Sequence, residues 1–376
     1  MSFAALALIS IAAALGPVLA LRRSWRLPVI LGELLAGMLL GASGAGLLDP
    51  RDPTFAFLAD VGFALVMFVA GSHVPVRELG SHGTLRIGFL RATVVGALAV
   101  VVGHVVAESF GTGHAGLYAV LMASSSAAFV LPVISDLELR GTPVLQLLPQ
   151  VAIADAACIV LLPLVVDPAR ASSTVLGLLA VGGCAAVLYL VLRRLEDSGL
   201  RRRAQRVSQE RRFAIELRVS LAILFTLAAL AVHTHVSVMV AGFSFGLVVA
   251  AIGEPRRLAR QLFAVTDGFL GPLFFVWLGA SIGLGELLRR PFMMLLGLAL
   301  GVGATAVHLA MRVLGQPISF AGLAAAQLGV PVAAATIGEQ QHLLSAGEPA
   351  ALLLAAVVTI VVALACAQRA VPAVLT

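Results

Sequence analysis

Residues 149–166 read PQVAIADAACIVLLPLVV, an apolar run with Asp155 near its centre. From the turn at Gly141 to the DPAR turn at Asp167 almost every residue is apolar, and a helix of roughly 20 such residues crosses a bilayer. A carboxylate halfway across costs roughly 2.5–3.5 kcal/mol on insertion scales. Asp155 is therefore expected to face protein or water, and an ionisable residue so placed marks an ion or proton pathway. The plainer reading is a protonated aspartate that only hydrogen-bonds a neighbouring helix. The rest of the chain has to decide between the two.

Of the 376 residues 60% are hydrophobic and 12% charged, with a mean hydropathy of +1.05. That is about half the charge of a soluble domain, so the chain reads as a polytopic membrane protein. A calculated pI near 10.4 would suit nucleic acid, but the basic residues are all arginines and cluster in short segments between apolar runs. Such clustering is topological information, and no nucleic acid partner is expected. Cys158, Cys184 and Cys366 all fall inside apolar runs without metal-like spacing and read as packing residues. The HTH at 233–235 lacks a third ligand; no metal site or cofactor is expected. Neither HExxH nor a GxGD pair occurs, which argues against an enzyme. The first run, Phe3 to Leu21, has no basic segment before it and is followed by Arg22, Arg23 and Arg26, which favours a retained span over a cleaved signal peptide.

Apolar runs bounded by Gly, Pro or charge define thirteen predicted spans: 3–21, 28–47, 55–73, 86–107, 115–135, 144–166, 173–192, 213–232, 236–252, 263–284, 291–313, 317–338 and 349–371. With the N-terminus outside and the C-terminus cytoplasmic, 21 of the 25 arginines fall on the cytoplasmic side, and only Arg51, Arg170, Arg289 and Arg290 lie outside. That bias fixes the orientation. The basic loop 193–212 divides the chain into six spans, a linking span and six spans. The halves then enter from opposite sides, as inverted-topology repeats do. No soluble domain follows the last span, so no regulatory domain binding nucleotide or thiol is expected.

Two features share a depth with Asp155. Ser124, Ser125 and Ser126 interrupt the fifth span, with Pro132 after them, and Gly329, Val330 and Pro331 interrupt the twelfth. Proline frees a carbonyl one turn back and glycine loosens the helix. In lipid, broken helices are tolerated where they pack on protein or line a cavity, and paired breaks in two halves point to a transport site. Half-helix ends offer partial charges and hydroxyls offer oxygens to a hard cation. Glu33 is a candidate for lining a cytoplasmic funnel, against a helix-bonding or snorkelling role. His308 and Arg312, four residues apart, are candidates for pH sensing, against an interfacial anchor. Asp60, Asp267, His104, His233 and His235 read as interfacial, and the loop 193–212 as a topology signal that could also meet anionic lipid.

The stretch MASSSAAFVLPVISDLELRGTPVLQLLPQVAIADAACIVLLPL at 122–164 resembles the fifth and sixth spans of the cation:proton antiporters, in particular the bacterial Na⁺/H⁺ exchanger and glutathione-gated potassium-efflux type. RLPVILGELLAGMLLG, ADVGFALVMFVAG, VSVMVAGFSFGLVVA and GPLFFVWLGASIGL extend the resemblance through most of the chain in the family's order. It implies an all-α fold with crossed discontinuous helices and a homodimer. It also implies a dimerisation and gate part, 1–73 with 213–284, and a mobile ion-carrying core, 86–166 with 291–371. The aspartate at the Asp155 position is expected to bind a cation or a proton, with Ser126 where the family usually has Thr.

The chain departs from the family pattern at several positions. Ala154 stands where Asp, Asn or Gln usually precedes the aspartate, and His73 replaces a common acidic residue. The place of an eleventh-span basic residue falls near Gly303, and LGVP replaces a glycine–glutamate pair. The expected activity is exchange of Na⁺ or K⁺ for H⁺ at a bacterial inner membrane, serving pH homeostasis. Proton and cation would compete for one carboxylate, one for one, with no net charge moved. Two alternatives are proton-coupled efflux of a small organic molecule and a transport-inactive sensor or scaffold that keeps the fold.

Overall fold

The structure is a computed structural model that describes residues 1–21, 29–41, 44–72, 82–166, 171–198, 215–234, 236–253, 262–281, 289–340 and 343–374. His73, His235, most of the 193–212 loop and the arginines at 22–26 and 254–260 lie outside the described residues. Each of the thirteen predicted spans contains helix, and no strand occurs among the described residues.

The first span is α1 (Phe3–Ala13) and α2 (Leu15–Ala20). They part where Pro17 has no N–H for the carbonyl four residues earlier. Then come α3 (Val29–Leu40), α4 (Pro53–Ser72) and α5 (His82–Phe110). The fifth span is split into α6 (Ala115–Ala123) and α7 (Ala127–Asp136). Intact helices α8 (Thr142–Val166), α9 (Ala171–Asp197), α10 (Ile215–His233) and α11 (Val238–Ile252) follow. A π-helical turn, Thr266–Leu270, leads into α12 (Gly271–Ser281), and α13 (Pro291–Leu309) tightens into a 3-10 turn, Ala310–Leu314. The twelfth span is split into α14 (Ile318–Ala324) and α15 (Gly329–Gln340), and α16 (Glu348–Val374) closes the described chain.

Packing sorts these helices into two groups. In the first, α4 packs on α11 and α12, and α3 packs on α12. Small residues let these backbones touch: a Cβ on Gly242 would strike the carbonyl oxygen of Ala64, one on Gly246 that of Phe68, and one on Gly37 that of Val276. Gly242–Gly246 and Gly37–Gly41 are both G-x-x-x-G spacings, the usual device for close approach where lipid supplies no hydrophobic drive between helices. Gly242-Phe-Ser-Phe-Gly246 also has nucleophile-elbow spacing, but it lies mid-helix in α11 with both glycines against α4. Phe63 stacks on Phe274 at 4.9 Å, and Trp277 Nε1 donates to Pro50 O at 2.9 Å.

In the second group α5 packs on α6, α8 and α13, and α16 packs on α13, α14 and α15. Arg91 of α5 is 3% exposed, and its guanidinium donates to Leu314 O at 3.1 Å, satisfying a carbonyl at the end of the 3-10 turn. The groups meet where α4 touches α7 and α11 touches α8. By contrast α9 turns Leu176, Leu179, Val187 and Leu190 outward, as a lipid-facing helix does.

Replacing Gly246 by leucine would force α4 and α11 apart, an overpacking that costs about 1–3 kcal/mol. Gly246→Leu is expected to lower the midpoint of thermal unfolding in detergent, while Gly183→Leu on α9, where an added Cβ meets nothing within 4 Å, leaves it nearly unchanged. Equal midpoints for the two variants would refute the close-packing account.

Candidate functional site

Three consecutive serines end α6. Their hydroxyls compete with the backbone for local hydrogen bonds, and Ser124 adopts an extended conformation, φ −70° and ψ 147°. Ser124 to Ser126 are non-helical, and α7 restarts at Ala127, so the first break lies where the sequence placed it. The second break falls a turn earlier than predicted. Ala326 to Leu328 are non-helical, whereas Gly329, Val330 and Pro331 open α15. Proline fits a first helical turn because the N–H it lacks there has no intrahelical partner.

The two breaks are stitched to each other. Ser126 N donates to Ala326 O at 2.8 Å. The Ser125 hydroxyl donates to Ala324 O, the last carbonyl of α14. From the other side Gln327 Nε2 donates to Leu121 O at 2.6 Å, a carbonyl near the end of α6 that also accepts from Ser124 Oγ at 2.8 Å. Gln327 N is held by Thr359 Oγ1 of α16 at 3.2 Å. Ser124, Ser125, Ser126 and Gln327 are all at most 2% exposed.

Asp155 joins this crossing from α8. Its side chain is buried, 4% exposed, and Oδ2 accepts from Ala127 N, the first amide of α7, at 2.8 Å. An acidic group is favoured at that end because the first amides of a helix have no intrahelical acceptor and carry partial positive charge. The Ser126 hydroxyl, one residue before Ala127, and the Gln327 Oε1 at the other break are buried without a hydrogen-bond partner. Helix α8 also touches α14 and α15. A Cβ on Gly329 would lie 3.4 Å from Met67 Cε of α4 and 3.8 Å from Met239 Sδ of α11, so the second break borders the first group through methionines.

The other candidates are dispersed. His308, read from sequence as an interfacial residue or pH sensor, is buried at 1% exposure in α13, with Nε2 3.4 Å from Ser125 Oγ. Arg312 does not share its setting. The helix tightens to 3-10 geometry after Leu309, and Arg312 is exposed. Gly303 packs tightly: a Cβ there would lie 3.0 Å from Met122 Cε and 3.2 Å from Val102. Glu33 is buried at 3% exposure on α3, and Asp267 is exposed on the π turn. The pair sits in the first packing group, away from the breaks. Asp60 lies well inside α4 instead of at a span end.

Sequence reasoning missed Gln327 and Glu348. Gln327 is the one amide side chain in the run AGLAAAQLGVPVAAA, which is a signal of its own. Glu348 opens α16 fully buried, and accepts from Tyr118 Oη at 2.7 Å and Ser345 N at 2.9 Å. His114 Nδ1, at the start of α6, meets the same carboxylate at 2.7 Å. The hydrogen bond to Glu348 raises the His114 pKa above its ordinary value of 6.5. A raised histidine pKa contributes stability that is fully present below that ordinary value and lost as pH rises through the raised one. The stability gap between wild type and His114→Gln is therefore expected to be wider at about pH 6 than at about pH 9 in thermal unfolding. A gap that stays level would mean the ring bonds Glu348 only as a neutral donor.

Two crossed half-helices with a buried carboxylate at one of their ends define an all-helical membrane protein of the sodium/proton antiporter fold. The archaeal antiporter MjNhaP1 from Methanocaldococcus jannaschii superposes with TM-scores of 0.65 in its pH 8 structure and 0.69 in an electron-microscopy structure, at 14% identity in both. The two alignments cover 98% and 100% of this chain, and 97% and 99% of those chains. Residues 9–367 match the sodium/hydrogen exchanger transmembrane family, and the chain belongs to that family. Among its relatives, YjbQ of Bacillus subtilis, whose name assigns it provisionally to Na⁺/H⁺ antiport, is 26% identical over 95% of this chain and 61% of its own length. KefC of Salmonella typhi, named a glutathione-regulated potassium-efflux system protein, is 27% identical over 77% of this chain and 47% of its own. The chain thus spans about half to three fifths of the length of these two relatives.

Proposed function

We propose that this chain exchanges a monovalent cation, Na⁺ or K⁺, for H⁺ by alternating access, with Asp155 as the shared binding group. One observation carries the reading: a carboxylate buried midway along the apolar helix α8 touches the N-terminus of a half-helix whose break is bonded to a second break. Asp155 presents oxygens that either a proton or a hard cation can occupy, and the Ser126 hydroxyl and the Gln327 amide oxygen stand unpartnered at the two breaks. The names of YjbQ, KefC and MjNhaP1 support the same cation class.

The second packing group, with both breaks and Asp155, is the proposed moving core. The first, held by glycine contacts, is the proposed dimerisation and gate part of a homodimer. The arginine bias supports an N-terminus outside and a C-terminus inside a bacterial inner membrane. The departures at Ala154 and Gly303 leave Asp155 as the one carboxylate in the described crossing. One cation per proton, with no net charge, is the stoichiometry that follows.

In proteoliposomes carrying a pH gradient, added Na⁺ or K⁺ is expected to dissipate the gradient at a rate insensitive to a clamped membrane potential. Asp155→Asn is expected to reduce that rate by at least about 100-fold, to the level of empty vesicles, because asparagine can neither release a proton nor offer a charged oxygen. Wild-type exchange retained in Asp155→Asn would refute the assignment, and a rate that follows the potential would refute the stoichiometry.

A further inference from the structure

The breaks are joined through a serine that has one hydrogen and two claimants. His308 Nδ1 is 2.9 Å from Ala304 O, one turn earlier on α13. A carbonyl oxygen only accepts, so Nδ1 carries the hydrogen, and in a neutral imidazole Nε2 is then an acceptor. That nitrogen faces Ser125 Oγ at 3.4 Å. The Ser125 hydrogen goes instead to Ala324 O, another obligate acceptor at the end of α14. Two acceptors therefore oppose each other, a spacing near the outer limit of a hydrogen bond. Both residues are 1% exposed, so the conflict lies away from bulk solvent.

The hydroxyl can turn. Directed at Ala324 O it ties the first break to the second; directed at Nε2 it ties the first break to α13 and leaves the α14 carbonyl free. We propose that His308 is a positioning residue for exchange: its Nε2 lone pair competes with the Ala324 carbonyl for the Ser125 hydrogen and makes Ser125 a two-position link between the breaks. His308 touches neither ion in this scheme and acts through Ser125. No proton leaves or joins the ring, and one hydrogen bond is exchanged for another. A link of this kind lowers the barrier for the crossing to rearrange, because the broken bond has a replacement ready within reach of one hydroxyl rotation.

The inference rests on the exchange reading above, so its test has one readout that does not need transport. Hydrogen–deuterium exchange of peptides covering 122–128 and 323–330 is compared in wild type, His308→Leu and His308→Gln. Leucine removes the competitor, so Ser125 stays on Ala324 O, and uptake in both segments is expected to slow by about 3-fold or more. Glutamine puts an acceptor oxygen back within reach of the hydroxyl, and uptake is expected to return toward wild type. In the flux assay His308→Leu is expected to lower turnover about 10-fold with the cation KM changed less than about 2-fold, a loss confined to the rearrangement step.

Ser125→Ala removes the link altogether, and the double variant Ser125→Ala/His308→Leu is expected to match Ser125→Ala alone. Unchanged or faster deuterium uptake in His308→Leu overturns the proposal, as do multiplying effects in the double variant or a failure of glutamine to restore uptake. If wild type moves no ions, the exchange reading fails, and the deuterium data still decide whether His308 controls the link.

Discussion

A backbone amide or carbonyl stranded inside a bilayer must find a partner in the protein, because lipid offers none and each unmet group costs several kcal/mol. Two helices broken at the same depth would strand such groups at both interruptions. Here the interruptions supply partners to each other. Ser126 N takes Ala326 O, Ser125 takes Ala324 O, and Gln327 reaches across to Leu121 O. Neither break would be stable in lipid without the other. The crossing is thus a consequence of desolvation before it is anything else.

The carboxylate is under the same constraint, sharpened by its charge. Placing Asp155 at mid-bilayer costs roughly 2.5–3.5 kcal/mol. The Ala127 amide returns about 1.5–3 kcal/mol as a hydrogen bond to a charged group, and the α7 terminus adds up to about 2 kcal/mol in a buried geometry. Cost and return are of one size. A bare carboxylate in this place is close to balance, and occupation by a proton or a cation is enough to decide its state. An aspartate paired with an arginine would be held charged, and one among apolar side chains would be held neutral. The mixed setting of Asp155 supports competition.

Much of this was legible in the chain. Long apolar runs bounded by arginine gave the spans because span length and loop charge are local properties. The Ser124–Ser126 break was visible for the same reason, three hydroxyls in an apolar run. The second break was placed a turn late because Gly329 and Pro331 look like breakers, yet proline in a first helical turn is compatible with helix. Its true position at Ala326–Leu328 depends on Gln327 and Ser126, which are about 200 residues apart, and no short window of sequence contains both. His308 was misplaced for a related reason. Counting along α13 put it near a membrane surface, whereas α13 packs against α5, α6 and α16 and brings it to Ser125. Glu348 went unnoticed because a glutamate at the start of a helix is ordinary until Tyr118 and His114 are seen to converge on it.

The contrast between the two packing groups carries the last step. Within the first, backbones touch through Gly37, Gly242 and Gly246, contacts with no slack for sliding. Within the second, hydrogen bonds between the breaks and from Gln316 to Gln150 at 2.9 Å bind distant helices into one body. Where Gly329 meets the first group, the neighbours are the flexible, polarisable side chains of Met67 and Met239. Thioether contacts are individually weak and can be remade after a shift of a few ångströms, which a directional hydrogen bond cannot. If the halves move past each other, the seam beside the second break is where the motion costs least, and the stitched breaks with Asp155 would travel together.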